Sequence, residues 1–270
     1  MMGQYLITFR EVLEASLIIG IIIAYMTRTD RKHLKKYVWE GTGLSILAST
    51  IIGIGILQIY NGLSETSMEL FEGISAFIAV AVLTTMIIWM SRKGTKIKTE
   101  VKQKIETAAT KGTVIGIISF SFIVVFREAF ETILFLTPMA TRDLTGTIIG
   151  AILGTISALI IAYLIFKVGI EIDIKKFFYF SSILLIFVAS GLAGYGTHEL
   201  IEVFEPNGWI GTVAFDLGIP EKSLLGYEGP IGSIFSVMFG YTTKMSWLRL
   251  IIQFGYLIIA LPTTILAYKK

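Results

Sequence analysis

Two charged pentads lie inside stretches of the chain that are otherwise too apolar for water. Residues 10–14 read Arg-Glu-Val-Leu-Glu, and residues 127–131 read Arg-Glu-Ala-Phe-Glu. An ionisable side chain at bilayer depth costs at least about 2.5 kcal/mol on insertion scales, so charges in such positions usually mark functional sites. The repeated Arg-Glu-x-x-Glu pattern therefore constrains both the fold and the function of the chain.

The composition around these pentads is that of an integral membrane protein. The mean hydropathy is +0.76, and 54% of the residues are apolar against 16% that are charged. We predict an all-α integral membrane protein with one domain, residues 1–270. Seven segments are long enough to cross about 30 Å of hydrocarbon, namely residues 4–27, 38–60, 68–90, 112–140, 146–167, 177–198 and 245–268.

The basic residues give the topology. Most of the 23 Lys and Arg residues follow spans one, three, five and seven, and the positive-inside rule places these connections in the cytoplasm. We predict a multi-pass protein of the plasma (cytoplasmic) membrane, with its N-terminus outside and its C-terminus inside. The net charge of +3 then reflects topology, and we expect no nucleic-acid partner. Acidic residues prevail on the outer side, where they would attract cations.

The spacing of the pentads indicates an internal repeat. Three spans separate them, so spans one to three and four to six would have opposite orientations. This is the inverted 3+3 plan of many transporters, here followed by a seventh helix. No other self-similarity is apparent in the sequence.

Glycine patterns occur in the fifth and sixth spans. Gly146, Gly150 and Gly154 are followed by Ala158 and Ala162 at four-residue steps, which predicts a smooth face for close packing against another helix. The sixth span ends in the glycine-rich segment 190–198. That segment predicts either an unwound stretch that exposes carbonyl groups to an ion or an ordinary loosened helix terminus.

Each pentad places its three charges on one side of a helix, within an arc of about 100°. Two Glu residues three positions apart can converge on one cation. The Arg can hold the Glu four residues later when no cation is present. The chain has no cysteine, so the available ligands are mainly oxygen atoms, which favour hard cations. We expect the two pentads to face each other and form a single site.

A seven-span chain with Arg-Glu-x-x-Glu in spans one and four resembles the iron permease family of fungi and bacteria. Residues 69–73, Glu-Leu-Phe-Glu-Gly, look like the acidic Glu-x-x-Glu-Gly segment of that family, and Gly240-Tyr241 is also similar. The resemblance implies import of iron, expected to be ferric, as a transported substrate with no tightly bound cofactor. It implies metal binding by Glu11, Glu14, Glu128 and Glu131, with Arg10 and Arg127 orienting the carboxylates.

The expected partners are iron ions, membrane lipid and a separate oxidase or extracytoplasmic iron-delivery protein. Some bacterial members of the family carry an additional extracytoplasmic domain that this sequence lacks, so we expect such a partner to be a different chain. Acidic residues near the outer ends of the spans are candidates for guiding iron to the site, or form a solvated helix face. They are Glu69, Glu72, Glu199, Glu202 and Glu205.

Three other functions are weighed against iron import. The first is transport of another cation, such as lead or manganese. The second is a structural role in which the pentads are ion pairs that lock two helices together, although one Arg per pentad would leave Glu11 and Glu128 without a partner. The third is an intramembrane enzyme, which is disfavoured because the sequence has no His-Glu-x-x-His, no Gly-x-Ser-x-Gly and no Gly-rich nucleotide loop. The sequence predicts neither the coupling ion nor the oligomeric state.

Overall fold

The computed structural model describes residues 2–93, 114–141, 143–168, 174–204, 209–220, 223–226 and 231–269. Each of the seven predicted spans corresponds to one long helix, with ends shifted by a few residues. An additional short helix, α7, precedes the last long one. The helices are α1 (Met2–Arg28), α2 (Lys35–Asn61), α3 (Glu65–Lys93), α4 (Val114–Ala140), α5 (Leu144–Tyr163), α6 (Ile174–Phe204), α7 (Gly232–Phe239) and α8 (Trp247–Lys269).

The part of the chain that the structure describes also contains a small β ribbon. Strands β1 (Val213–Asp216) and β2 (Lys244–Ser246) pair antiparallel, with Asp216 opposite Lys244. The ribbon and α7 lie in the connection between α6 and α8. The fold is therefore an α-helical membrane bundle with one two-stranded ribbon beside it.

Within the described part of the chain, five helical segments are long and apolar enough to cross a membrane. They are Lys32–Asn61, Glu65–Ser91, Leu144–Lys167, Phe178–Phe204 and Trp247–Tyr268. The two other long helices, α1 and α4, have similar lengths but carry the charged pentads near their middle. A single π-helical turn, Leu164–Val168, extends α5.

The long helices pack in pairs. α1 packs most extensively on α5, α2 on α4, and α3 on α6, while α8 packs on α6 and α1 also contacts α4. The largest apolar core lies between α3, α4, α6 and α8, and includes Leu83, Phe135 and Leu185. A second core joins α1, α2 and α4 around Ile22 and Val38. Helices α1 and α4 are thus held side by side by their outer neighbours.

The predicted smooth face of α5 is confirmed. All five small residues of the strip are buried. A Cβ atom added to Gly154 would lie 2.6 Å from the carbonyl oxygen of Tyr5 and 2.9 Å from the amide nitrogen of Phe9. The backbone of α1 therefore approaches α5 at a distance that only glycine permits, and this contact fixes the position of the first pentad.

Both predictions for the glycine-rich end of the sixth span are wrong. α6 is helical through this segment and ends only at Phe204. A Cβ atom at Gly191 would lie 2.9 Å from the amide nitrogen of Gly240, and one at Gly196 would lie 3.0 Å from the Cβ of Ala76. These glycines let the α7 end and α3 approach the helix, and the tertiary contacts keep it wound.

The close packing of α1 on α5 gives a test of the fold. Gly154→Leu should destabilise the protein by at least about 1–3 kcal/mol, because the side chain overlaps the backbone of α1. Gly55→Leu is the matched control, since no atom lies within 4 Å of a Cβ there. It should leave stability unchanged or raise it by up to about 1 kcal/mol. Thermal unfolding in detergent measures both, and an equal melting temperature would contradict the packing account.

Candidate metal site

The contact between α1 and α4 brings the two pentads together. Glu11 on α1 and Glu128 and Glu131 on α4 each offer one carboxylate oxygen, and these three atoms lie within 4.8 Å of one another. Glu11 and Glu128 are almost completely buried, and Glu131 is 13% exposed. Three carboxylates from two helices therefore converge on a volume of about the size that one cation occupies.

Arg10 lies at one edge of this cluster and is 1% exposed. Its Nη1 donates to Oε1 of Glu11 at 2.5 Å, and its Nη2 lies 3.6 Å from Oε2 of Glu14. The contact with the fourth residue along the helix is present as predicted, but the contact with the adjacent Glu11 is shorter. The expectation that a structural ion pair would leave Glu11 without a partner is therefore wrong, because the guanidinium fork reaches both carboxylates.

Arg127 lies at another edge and is more accessible, with 43% of its side chain exposed. Its Nε donates to Oε1 of Glu131 at 2.9 Å, as predicted for a pair four residues apart, and lies 3.8 Å from Oε1 of Glu128. Glu128 thus makes the weaker of the two contacts. The expectation that Glu128 would have no partner is therefore also wrong, although its ion pair is longer than that of Glu131.

The carboxylates retain unused acceptor capacity. Among the residues that the structure describes, Oε2 of each of Glu11, Glu14, Glu128 and Glu131 is buried without a hydrogen-bond donor. Buried oxygens without donors are rare in folded proteins, and binding of a cation is one way to satisfy them. Four carboxylates also outnumber two guanidiniums, so the cluster is negative, and its oxygen atoms suit a hard cation.

The predicted acidic residues of the access route lie elsewhere. Glu72 on α3 accepts hydrogen bonds from the hydroxyl groups of Tyr60 and Tyr195, so it ties α2, α3 and α6 together. It lies 14 positions before Met86, which contacts Arg10. Along a helix this separation is about 21 Å. Glu72 therefore does not belong to the pentad cluster.

The remaining candidates of this set fall near Glu72 or outside the described residues. Glu69 lies one turn before Glu72, and Glu199 follows Tyr195 on α6 by one turn. Glu202 is half exposed and lies 3.4 Å from Nε2 of His198. Glu205 lies outside the residues that the structure describes. None of the described acids of this set joins the pentads.

Three side chains of α3 that the sequence analysis did not single out contact the site. Sδ of Met86 lies 3.2 Å from Nη1 of Arg10, and Sδ of Met90 contacts Nη2. The ring of Trp89 lies under the guanidinium of Arg127, with 5.0 Å between the guanidinium carbon and the ring centroid. No sequence signal distinguishes these residues from other apolar residues of a span, because their role depends on a tertiary contact.

Comparisons with known proteins agree with this chemistry. Residues 1–267 match the family model described as the iron permease FTR1 family. An uncharacterised protein of Archaeoglobus fulgidus is 42% identical over 260 residues, which cover 95% of this chain and 92% of the relative.

Two relatives have functional names. A Yersinia pestis protein named ferrous iron permease EfeU is 34% identical over 267 residues, covering 97% of this chain and 92% of the relative. A protein of the same name from Escherichia coli O6:H1 is 32% identical over 272 residues, covering 98% and 96%. No solved structure matches the chain.

The unequal pairing of the carboxylates predicts opposite effects of two isosteric changes. Glu128→Gln should raise the melting temperature of the metal-free protein, because it removes a buried negative charge whose nearest arginine nitrogen is 3.8 Å away. Glu11→Gln should lower the melting temperature, because it deprives the buried Arg10 of its closest charged partner. The corresponding loss in the free energy of unfolding should be at most about 3–5 kcal/mol. Thermal unfolding after treatment with a chelator measures both, and a decrease of the same size in both variants would contradict this electrostatic account.

Proposed function

Because the chain belongs to the iron permease FTR1 family, we propose that it imports iron through one carboxylate site shared by α1 and α4. The protein is a transporter of iron and not an enzyme. The observation that carries the proposal is the convergence of Glu11, Glu128 and Glu131 within 4.8 Å. With Glu14 beside them, the two pentads offer more oxygen atoms than either alone, and a hard cation commonly takes about six.

The proposed ion is ferric iron. All the ligands of the cluster are carboxylate oxygens, and such hard donors favour an ion of high charge density. The relatives from Yersinia pestis and Escherichia coli are named ferrous iron permeases, so ferrous iron is the second candidate. A ferric substrate delivered to the outer surface would fit a separate oxidase or extracytoplasmic iron-delivery protein as partner.

The proposed path continues the cluster with buried polar groups on both sides. Gln4 and Thr8 precede Glu11 on the same face of α1, and Gln4 donates to the hydroxyl of Thr147 at 3.4 Å. Ser121 precedes Glu128 by two helical turns on α4. The Thr8 and Ser121 hydroxyls are buried without a partner among the described residues. Such oxygen atoms can replace part of the hydration shell of a moving ion.

The helix packing supports the proposed inverted repeat, with seven helices crossing the membrane. In such a repeat α1 is equivalent to α4, and α2 is equivalent to α5. The contact of α1 with α5 should then have a counterpart in the contact of α4 with α2, and both contacts are extensive. The equivalent helices also carry equivalent small residues. Gly41, Ser45 and Ser49 of α2 are buried at four-residue steps, like the strip on α5.

The orientation follows from the basic residues, with the N-terminus outside. The connection between α3 and α4, which is the longest basic one, lies outside the described residues. In this orientation Glu69, Glu72, Glu199 and Glu202 lie towards the outer ends of α3 and α6, where they would raise the local concentration of iron. Inward movement of three positive charges would gain about 7 kcal/mol at 100 mV, so the membrane potential supplies a driving force.

Two alternatives are distinguished by experiment. Transport of lead or manganese through the same carboxylates would preserve the site and change only the ion. A purely structural role of the pentads would preserve iron transport when the carboxylates are replaced. The unused acceptor oxygens support a cation site over a structural one, because an ion-pair lock satisfies its own acceptors.

Uptake into proteoliposomes tests the proposal. Glu11→Gln, Glu14→Gln, Glu128→Gln and Glu131→Gln should each lower iron uptake at least about tenfold, because the amide keeps the size but loses the charge that a hard cation requires. Glu202→Gln is the control and should slow uptake only at low iron and low salt. Ferric citrate should support uptake in the presence of a ferrous chelator. Uptake only of ascorbate-reduced iron would establish the ferrous candidate, and unchanged uptake in the four pentad variants would contradict the site.

The proposed orientation is tested by cysteine labelling, since the chain has no native cysteine. Cysteines introduced at Ser64 and Ser223 should react with a membrane-impermeant thiol reagent on intact cells. A cysteine at Thr99, in the basic connection, should react only after permeabilisation. Labelling of Thr99→Cys on intact cells would reverse the orientation and remove the outer acids from the proposed route.

A further inference from the structure

One face of α3 contacts both arginines of the site. Met86, Trp89 and Met90 lie within one helical turn, in an arc of about 100°. The two methionine sulphurs contact the guanidinium of Arg10, and the indole ring lies against that of Arg127. Met86 is 5% exposed and Met90 is fully buried, so the sulphur contacts are shielded from water.

These three side chains differ from the other partners of the arginines because they are uncharged. A thioether sulphur is a weak hydrogen-bond acceptor, and an indole ring attracts a cation through its electron-rich face. Neither group forms an ion pair. Each can therefore contact a guanidinium without adding a negative charge beside it.

Cation binding creates a need for such groups. In the present arrangement Arg10 and Arg127 contact the carboxylates that would ligate iron. An arriving cation repels both guanidiniums and takes their counter-charges, while Arg10 is too buried to move into water. A buried charge without any partner is strongly unfavourable. The arginines therefore need a neutral surface on which to remain when the metal is bound.

We propose that Met86, Trp89 and Met90 form an arginine rest on α3, a set of positioning residues that holds both guanidiniums beside the carboxylates while a cation occupies the site. The inference rests on the proposed function and adds to it a third helix that controls occupancy. The metal displaces the Arg–Glu contacts, and each guanidinium then depends on its contacts with α3, which are therefore stronger in the metal-bound state than in the metal-free state. When the metal leaves, each guanidinium is already within reach of its carboxylate.

The proposed arginine rest predicts weaker metal binding when the methionine sulphurs or the indole ring are removed. In the double variant Met86→Leu/Met90→Leu, Arg10 keeps only its carboxylate partners and competes more strongly with the metal. Affinity should fall about two- to tenfold for each lost contact. Trp89→Leu should weaken binding about two- to thirtyfold, and Trp89→Phe should weaken it less, because the smaller ring still attracts the cation. Met26→Leu, a fully buried methionine of α1 away from the site, is the matched control.

A double-mutant cycle separates positioning from packing. The probe is gallium(III) citrate, which has the ferric charge but no redox chemistry, titrated calorimetrically into the purified full-length protein. If the methionines act through Arg10, then Met86→Leu/Met90→Leu should have little effect in an Arg10→Gln background. An equal loss with and without Arg10, or no loss relative to Met26→Leu, would overturn the inference while leaving the metal site intact.

Tryptophan fluorescence provides a readout that a packing role would not change. In a variant with Trp39, Trp209 and Trp247 replaced by Phe, emission comes from Trp89 alone. Gallium should alter this emission when Arg127 is present and should not do so in Arg127→Gln. A response that is identical without Arg127 would overturn the assignment of Trp89. Failure of the unmodified chain to bind gallium or ferric citrate would instead overturn the proposed function, and the proposed arginine rest would fall with it.

Discussion

The structure depends on the contact of two charged helix faces within an apolar bundle. Six ionisable side chains are packed where α1 meets α4, and Arg10, Glu11 and Glu128 are almost inaccessible to solvent. Ion pairs offset part of the desolvation cost, but the carboxylates outnumber the guanidiniums. The remaining acceptor oxygens have no donors. A bound cation would supply the missing positive charge, and this charge imbalance is the basis of the proposed metal site.

The packing of the outer helices keeps this costly contact in place. Within lipid there is little hydrophobic drive to bring helices together, so close van der Waals contact between small residues contributes most of the association. Gly154 of α5 allows the backbone of α1 to approach at the level of Thr8. Gly41 of α2 does the same for α4 near Ser121. Each pentad helix thus packs closely against a helix with a smooth face.

The sequence contained the local geometry of the site but not its surroundings. Charges at positions i, i+1 and i+4 of a helix fall within an arc of about 100°, so the Arg127–Glu131 pair and the grouping of the carboxylates were predictable. The glycines of α6 misled because glycine permits both irregular backbone and close helix contact, and only the positions of Gly240 and Ala76 decide between them. Met86 and Trp89 look like any apolar residues of a span, since their contacts with arginine arise from tertiary packing.

The two arginines occupy equivalent positions in the proposed repeat but unequal environments. Arg10 is enclosed, whereas 43% of the Arg127 side chain is accessible. In an inverted repeat the two halves exchange environments when the transporter changes state, because the second state has the conformation of the first with the halves interchanged. The difference in exposure between Arg10 and Arg127 is then expected of a single conformation of the proposed transport cycle. In the present state the one-turn face of α3 contacts the enclosed and the accessible arginine at once.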